Sequence, residues 1–406
     1  MRLSTLLRRL LGVRSLVIEG VRFEAATMVV AVRPRRLRPR CGECQAVRPG
    51  YDQARPRRWR HLGLGRLRVE LSYTPRRVDC QGCGGVRVEA VPWAPHGSGF
   101  THDFEELVAY LAQVTDKTQV TKLLGISWIT VGAIVRRVVE RKLDPDLLEE
   151  LRCIGVDEFS YRKRHNYLTV VVDHERQRVV WAREGHDAAT LQAFFEELGA
   201  ERCAAIECVT IDLSAAFIKA VQEGAPKARI VFDRFHVQRL ASDALDLVRR
   251  EQLQELRGTP EGRELFRTRF ALLKNPWNLT KIESGRLSAV QRTNAPLYRA
   301  YLLKETLAQA LDYRQPARAQ RELERWLAWA SRSRLAPFVR VGRTIRKHFE
   351  GVLAYVREGL TNAFLEGTNN RIRMITHRAF GFHSPHALIA MIFLCCSGIT
   401  LDPPLP

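Results

Sequence analysis

The chain has 406 residues, of which 46% are hydrophobic, and this composition excludes a disordered protein. Its formal net charge is +21. The first hundred residues hold 20 Arg, no Lys and seven acidic residues, a net charge of +13. Codon bias in a GC-rich genome would explain why Arg replaces Lys, but it would not explain the excess of positive over negative charge. The surplus therefore favours a polyanionic partner such as nucleic acid, since Arg suits paired contacts to phosphate and guanine.

Neither a membrane span nor a secretory signal is predicted. The longest apolar run, residues 387–401, is interrupted by Ser397 and Gly398 and is short for a bilayer, so we expect a buried C-terminal helix there. The start of the chain, MRLSTLLRRLLGV, is too short and too rich in Arg for a signal peptide. We therefore expect a cytoplasmic protein whose nine Cys are metal ligands or core residues.

Four of the Cys form two pairs with identical spacing, Cys41-Gly-Glu-Cys44 and Cys80-Gln-Gly-Cys83, separated by 35 residues. Each tight turn offers two thiolates, and two such turns suit one tetrahedral structural Zn²⁺. The segment between them contains a strand-like stretch, LRVELSY, at residues 67–73. The pattern predicts a zinc ribbon at about residues 1–95.

A helical segment is predicted at about residues 100–145. One helix, starting near Thr118, ends at Gly125, and a second begins near Ser127 and carries Arg136 and Arg137. Two short helices around a Gly turn resemble a helix-turn-helix, which makes both arginines candidates for DNA contacts. An ordinary helical hairpin is the alternative.

From about residue 151 the pattern changes to the order βββαβαβ. Strands are predicted at residues 152–159, 166–173, 178–182, 204–213 and 228–233, with helices at residues 187–199 and 215–224. This order describes one α/β sheet with a mixed strand arrangement. From residue 235 to about residue 359 the pattern is helical and charged.

Two carboxylates stand out in this sheet, because Asp is depleted in strands and costly to bury unpaired. Asp157 lies in the first strand and Asp212 ends the fourth. These strands can be neighbours, so the two carboxylates can meet and bind Mg²⁺ or Mn²⁺. A third acidic residue from a late helix would complete a two-metal site for phosphodiester chemistry. Asp157 as a strand-end hydrogen-bonding residue and Asp212 as a helix N-cap are the alternatives.

The strand order and these Asp positions resemble the ribonuclease-H-like fold of transposases and retroviral integrases. Over essentially its full length, the chain resembles bacterial insertion-sequence transposases of the L-three type. The segments that carry the resemblance are GVDEFSYRKRHNYLTVVVD, VTIDLSAAFIKAV, IVFDRFHV, LLKNPWNLT and TNAFLEGTNNRIRMITHRAFGF.

The resemblance implies a multidomain α/β protein in which a zinc ribbon and a helix-turn-helix precede a ribonuclease-H-like catalytic domain with a helical insertion. The catalytic domain would comprise residues 151–238 with 354–400, and the insertion residues 239–353. Asp157, Asp212 and Glu366 would then form the Asp-Asp-Glu triad that holds the divalent metal.

Two accessory features leave alternatives open. Asp233 and His236 form an Asp-x-x-His that is similar to a motif of related eukaryotic cut-and-paste transposases. An Asp and a His one turn apart could position a phosphate or a metal-bound water. A core or capping pair is the alternative. Trp277 could stack on a flipped base, although packing within the helices is the commoner role of such a residue.

The stretch LEGTNNRIR at residues 365–373 combines poor helix formers with a single carboxylate. If it is helical, Glu366, Asn370 and Arg373 share one face, opposite the apolar residues. Asn370 and Arg373 are therefore candidates for DNA contacts. Gly367 and Thr368 would let a DNA backbone approach closely.

The predicted function is that of a DNA transposase. It would bind double-stranded DNA at the terminal inverted repeats of its element, cut there to free a 3′-hydroxyl, and join that hydroxyl to target DNA. Cleavage at two ends implies a dimer or a higher oligomer on DNA, associated with the nucleoid. A non-catalytic DNA-binding regulator and a structure-selective nuclease of the same fold are the alternatives.

Overall fold

The structure is a computed structural model that describes residues 3–13, 15–162, 166–359, 363–379, 382 and 384–403. Parts of three segments quoted above, residues 1–2, 163–165, 361–362 and 380–381, lie outside this set. The chain divides into two compact units, Met1–Asp144 with His386–Pro406, and Pro145–Pro385. The regions predicted as zinc ribbon and helix-turn-helix therefore lie in one unit. Residues 386–400, which we expected in the catalytic domain, lie in that unit as well.

The first unit begins with one helix and seven strands. These are α1 (Leu3–Leu11), β1 (Leu16–Glu24), β2 (Thr27–Pro34), β3 (Gly50–Gln53), β4 (Arg57–Leu64), β5 (Leu67–Tyr73), β6 (Arg76–Cys80) and β7 (Gly85–Val88). They form a four-stranded sheet in the order β1-β2-β5-β4 and a three-stranded sheet in the order β3-β6-β7. The strand predicted at residues 67–73 is β5, which confirms that prediction.

The four-stranded sheet builds the core of this unit because apolar and polar residues alternate along its strands. Val69 and Leu71 of β5 are fully buried. Trp59 of β4 packs edge-on against Trp93, with 5.7 Å between the ring centroids. Leucines of α1 complete the same core. Each large apolar side chain buried in this way stabilises the fold by about 1.5–3 kcal/mol.

Three helices follow, α2 (His102–Val114), α3 (Lys117–Leu124) and α4 (Trp128–Lys142). Gly125 ends α3 with a φ of 59°, a left-handed conformation that favours Gly. Ser127 then caps α4 by accepting a hydrogen bond from the backbone N–H of Thr130. A row of valines with Ile134 buries one face of α4, which packs against α2. The two helices predicted around Gly125 are therefore present.

The second unit contains five strands and three connecting helices. These are β8 (Cys153–Arg162), β9 (Asn166–Asp173), β10 (Arg178–Glu184), α5 (Ala188–Leu198), α6 (Ala200–Ala205), β11 (Cys208–Ile211), α7 (Ala215–Gly224) and β12 (Arg229–Phe232). The predicted order βββαβαβ is confirmed except for the short helix α6. The strand predicted at residues 204–213 begins only at Cys208, so its first four residues were predicted wrongly. Residues 204–205 complete α6, a segment that starts with the good helix formers Ala, Glu and Arg, and residues 206–207 connect this helix to the strand.

The five strands form a single sheet in the order β10-β9-β8-β11-β12. β8, β9 and β10 are antiparallel, whereas β11 and β12 run parallel to β8. The first and fourth strands are therefore neighbours, an arrangement that the sequence allowed. β8 occupies the centre of the sheet, with partners on both sides.

Helices make up the rest of the second unit. They are α8 (Arg234–Glu255), α9 (Pro260–Phe266), α10 (Arg269–Leu273), α11 (Lys281–Thr293), α12 (Ala295–Asp312), α13 (Pro316–Arg332), α14 (Ala336–Lys347), α15 (Phe349–Glu358) and α16 (Ala363–Arg378). α8 packs against α12 and α14, and α15 packs against β12. No strand follows β12 in the part of the chain that the structure describes, which agrees with the predicted helical insertion.

Trp277 lies in a short 3₁₀ turn, Pro276–Asn278, between α10 and α11. Its side chain is 76% exposed. The interpretation of Trp277 as a packing residue of the helical region was therefore wrong.

The last helix, α17 (Pro385–Cys396), confirms the predicted buried C-terminal helix. Its residues Leu388, Ile392 and Leu394 are fully buried. The backbone oxygen of Leu394 accepts a hydrogen bond from the Gln113 side chain of α2 at 2.6 Å. Among the described helices, none combines the length and the apolar character that crossing a membrane requires.

Candidate catalytic and DNA-binding sites

Two carboxylates meet at the centre of the second unit's sheet. Thr210 of β11 pairs with Gly155 of β8. Asp157 stands two residues farther along β8, and Asp212 follows the end of β11, two residues after Thr210. Burial raises the pKa of the Asp157 carboxyl, and the nearby charge of Asp212 raises it further. The structure thus brings these two candidate ligands together.

Both oxygens of the Asp157 carboxylate are held by hydrogen bonds. Oδ1 accepts one from the backbone N–H of Glu158 at 2.8 Å. Oδ2 accepts one from Nδ2 of Asn369, a residue of α16 that is only 8% exposed. The carboxylate is therefore fixed in orientation before any ligand arrives.

Asp212 lies in the turn between β11 and α7. Its Oδ1 accepts a hydrogen bond from the backbone N–H of Ser214 at 2.9 Å. Ser214 itself is the N-cap residue of α7. The alternative that Asp212 is the N-cap was therefore wrong, although its carboxylate does support the turn before the helix.

The face pattern predicted for LEGTNNRIR agrees with the structure in part. Leu365 and Ile372 are buried, and Glu366, Asn370 and Arg373 are exposed. Oδ1 of Asn370 accepts a hydrogen bond from Nη1 of Arg373 at 2.9 Å. These two candidates for DNA contacts therefore lie on one solvent-facing stripe.

The prediction that Thr368 lets a DNA backbone approach was wrong. Thr368 is only 4% exposed, because it lies on the buried face of α16. Sequence reasoning also missed the neighbouring Asn369. A signal was available, since Asn369 stands four residues after Leu365 and three before Ile372, which is the spacing of one helix face.

Glu366 lies in the first turn of α16 and is exposed. It precedes Asn369 by three residues, so the two lie about one turn apart, Glu366 on the exposed side of α16 and Asn369 on its buried side. Its carboxylate is not gathered with those of Asp157 and Asp212. Within the described residues, the one group of three or more His, Cys, Asp or Glu ligand atoms that lie within 4.8 Å of one another is formed by four Cys.

Asp233 and His236 flank the start of α8. Asp233 caps this helix by accepting a hydrogen bond from the backbone N–H of Phe235, so the capping interpretation is confirmed. His236 Nε2 lies 3.7 Å from Asp233 Oδ2. Burial raises the pKa of Asp157, and the proximity of His236 opposes that rise. The pair therefore also lies beside the carboxylate site.

The four Cys of the predicted zinc site converge in the first unit. Cys41 Sγ and Cys83 Sγ are 3.8 Å apart, and Cys44 Sγ and Cys80 Sγ are 3.5 Å apart. A tetrahedral site with Zn–S bonds of about 2.3 Å would separate its sulphur atoms by about 3.8 Å. The arrangement of these four thiols therefore fits one Zn²⁺.

The two arginines predicted to contact DNA on α4 have different environments. Arg136 is exposed. Arg137 donates two hydrogen bonds, at 2.6 and 2.9 Å, to the fully buried carboxylate of Glu105, which Arg141 also contacts. These ion pairs commit Arg137 to the fold, so we retain only Arg136 as a candidate for a DNA contact.

Two further surface features were missed from the sequence. Ile129 is 82% exposed and stands seven residues before Arg136, on the same face of α4. Separately, an open cavity of about 940 Å³ has four arginines and no acidic residue among its described lining residues. These arginines are Arg8, Arg9, Arg35 and Arg36.

Comparisons with known proteins agree with this geometry. A family model described as a transposase, the DDE domain of the ISL3 family, matches residues 154–392. The helix-turn-helix domain of transposase family ISL3 matches residues 89–139. The zinc finger of the transposases of IS204, IS1001, IS1096 and IS1165 matches residues 37–83.

Curated relatives match along nearly the whole chain. The transposase for insertion sequence element IS1557 of Mycobacterium tuberculosis is 41% identical over 432 aligned residues, which cover 98% of this chain and 96% of the relative. The transposase for insertion sequence element IS1001 of Bordetella parapertussis is 29% identical over 358 residues, 88% of each chain.

The chain therefore belongs to the ISL3 family of insertion-sequence transposases. The resemblance to this family, the transposase function and the enzyme class are confirmed. It is a multidomain α/β enzyme with a zinc-finger region, a helix-turn-helix and a DDE transposase domain.

Proposed function

We propose that Asp157, Asp212 and Glu366 are the catalytic carboxylates with which this transposase cuts and joins DNA. The observation that carries the proposal is the pairing of β8 with β11, which sets Asp157 beside Asp212. Two like charges side by side in a half-buried site are costly, and such sites are often functional. The sheet order supports a ribonuclease-H-like fold for the second unit.

The residues around Asp157 fit a divalent cation that prefers oxygen ligands, Mg²⁺ or Mn²⁺. The Asp157 carboxylate is held in place, and Oδ1 of Asn369 is a buried oxygen without a hydrogen-bond partner among the described residues. Glu366, on the same helix as Asn369, supplies the third carboxylate. When bound, the ions would activate the attacking oxygen and stabilise the leaving oxygen of a phosphodiester.

The proposed reaction consists of two substitutions at phosphorus. First, water attacks the phosphodiester at the end of the element, the bond from phosphorus to the 3′ oxygen breaks, and the 3′ oxygen leaves as a hydroxyl. This hydroxyl then attacks a phosphodiester of target DNA and displaces a 3′ oxygen there. No protein atom becomes bonded to DNA, so the carboxylates only need to hold their positions, with His236 and Asp233 placed to orient phosphate or water.

The first unit would recognise the terminal inverted repeats. The second helix of a helix-turn-helix lies in the major groove, where its N-terminal residues contact base edges. α4 would be this helix, and Ile129 near its start and Arg136 in its middle both face solvent. Ile129 would contact a thymine methyl, and Arg136 a guanine or a phosphate. The four arginines of the cavity described above would hold backbone phosphates. Zn²⁺ bound to the four Cys would fix the turns of this unit.

The assembly and location follow from the reaction. Each element has two ends to cut, so two active sites are needed, and we propose a dimer or a higher oligomer on DNA. Its substrates are the element ends and the target duplex. An enzyme that works on chromosomal DNA would reside with the nucleoid in the cytoplasm.

A cleavage assay tests this function. The full-length protein is mixed with a labelled duplex that carries the terminal repeat of its element, with and without Mg²⁺. We expect Mg²⁺-dependent nicking at the repeat boundary by the wild type and none by Asp157→Ala, which should still bind the duplex. Nicking by Asp157→Ala equal to that of the wild type would refute the proposal.

The same assay separates the two other functions considered. Binding of the repeat without cleavage under any metal condition would indicate a non-catalytic regulator. Cleavage confined to branched DNA would indicate a structure-selective nuclease. A paired zinc-finger region and helix-turn-helix, which suit the reading of a defined sequence, favour the transposase over that nuclease.

A further inference from the structure

We infer that Asn369 is a positioning residue of the metal site, which holds Asp157 through Nδ2 and presents Oδ1 to the divalent cation or its water. The inference rests on the proposed function, because it concerns the same site.

The first observation is the contact itself. Asn369 Nδ2 donates a hydrogen bond to Asp157 Oδ2, across 212 residues of sequence. The other oxygen of the carboxylate is already held by the backbone of Glu158. Without Asn369, one oxygen of Asp157 would lose its partner and the carboxylate could rotate. Groups that orient a metal ligand in this way are commonly needed for tight metal binding.

The carbonyl oxygen of the same side-chain amide gives the second observation. Oδ1 of Asn369 is buried and has no hydrogen-bond partner in the part of the chain that the structure describes. A buried carbonyl oxygen without a partner is destabilising, so it is kept where a ligand uses it. An amide oxygen beside a carboxylate is an acceptable ligand for Mg²⁺, Mn²⁺ or a water bound to either ion.

The third observation concerns Glu366. Glu366 and Asn369 lie three residues apart on α16, so their side chains leave adjacent turns of that helix, Glu366 on the exposed side and Asn369 on the buried side. The hydrogen bond from Asn369 to Asp157 joins α16, the helix that carries Glu366, to β8. Asn369 thus helps to set the distance between the first carboxylate of the proposed triad and the third.

Asn370 provides a matched comparison at the next position. It has the same side chain on the same helix, but it is exposed and its Oδ1 accepts a hydrogen bond from Arg373. A difference between substitutions at residues 369 and 370 therefore reports environment rather than side-chain type.

The test measures Mn²⁺ binding by calorimetry on the full-length wild type and on Asn369→Ala, Asn370→Ala and Asp157→Ala. We expect Asn369→Ala to weaken Mn²⁺ binding by about 10–100-fold, the usual effect of losing a residue that orients a metal ligand. Asn370→Ala should bind Mn²⁺ as the wild type does. The Mg²⁺ concentration for half-maximal cleavage should rise for Asn369→Ala by a similar factor, with DNA affinity in the absence of metal unchanged.

The outcomes separate this inference from the proposed function. If Asn369→Ala binds Mn²⁺ like the wild type while Asp157→Ala does not bind it, the inference is wrong and the proposed site stands. If Asp157→Ala also binds Mn²⁺ normally, both are wrong. Circular dichroism establishes that each variant is folded, and Asn369→Ser, which loses both contacts but keeps a polar side chain, replaces Asn369→Ala if the latter is not.

Discussion

The four thiols of the first unit and the three carboxylates of the second are two candidate metal sites built in opposite ways. Each thiol pair lies on one tight turn, and the four sulphur atoms lie within 4.8 Å of one another. The carboxylates lie on a strand, in a turn and on a helix, between residues 157 and 366. In the structural site, short turns position all the ligands. The catalytic site instead collects its ligands from distant segments and retains like charges that destabilise the fold.

Removal of zinc should have the largest effect. Binding of a structural Zn²⁺ contributes on the order of 10 kcal/mol to the folding of small zinc domains, so chelation or Cys80→Ser should unfold β3, β6 and β7. Hydrogen exchange measured by mass spectrometry should show loss of protection there and no change in the sheet of β8 to β12. A native protein that contains less than one zinc per chain would contradict the closed site.

Loss of the buried carboxylate of Glu105 should have the second-largest effect on stability. Glu105→Ala leaves Arg137 and Arg141 without their carboxylate and should lower the free energy of unfolding by about 3–5 kcal/mol. Urea denaturation measures this loss. An effect below about 0.5 kcal/mol, typical of an exposed residue, would show that Arg137 is free for DNA after all.

A substitution in the carboxylate site should stabilise the protein, whereas the two changes above destabilise it. Burial raises the pKa of Asp157, so its ionised form costs stability at neutral pH. Asp157→Asn removes this charge, and its amide can still pair if Asn369 turns its Oδ1 toward it. We expect the Tm of the second unit to rise by about 2–4 °C. A fall in Tm, measured by calorimetry, would mean that Asp157 serves the fold.

The smallest effect concerns DNA affinity. Arg136→Ala should reduce the slope of log affinity against log salt concentration by about 0.9, if Arg136 contacts one phosphate. Fluorescence anisotropy with a repeat duplex measures the slope. An unchanged slope, together with a loss of affinity that is larger for the repeat than for random DNA, would instead indicate a base contact.

Local chemistry made part of this molecule predictable. The two Cys pairs, the Gly125 turn and the βββαβαβ order are signals carried by short stretches, and the structure contains each of them. These signals need no knowledge of distant contacts. The sequence also allowed the first and fourth strands to be neighbours, so that Asp157 and Asp212 could meet.

Other features depend on tertiary contacts that no short stretch records. Arg136 and Arg137 are adjacent and identical, yet only the position of Glu105, 32 residues earlier, distinguishes them. Asn369 and Asn370 differ in the same way, through the docking of α16 on β8. The return of residues 386–406 to the first unit was likewise invisible, because an apolar helix can pack in either unit.

In the proposed catalytic site, Glu366 is the carboxylate that joins Asp157 and Asp212 from a distant helix. The most direct measurement compares cleavage and binding of a terminal-repeat duplex by the wild type and Glu366→Gln at saturating Mg²⁺. We predict a cleavage rate lower by on the order of 10²–10³-fold, the size expected when a group that stabilises transition-state charge is lost, with DNA affinity unchanged. Cleavage by Glu366→Gln at the wild-type rate would contradict the account.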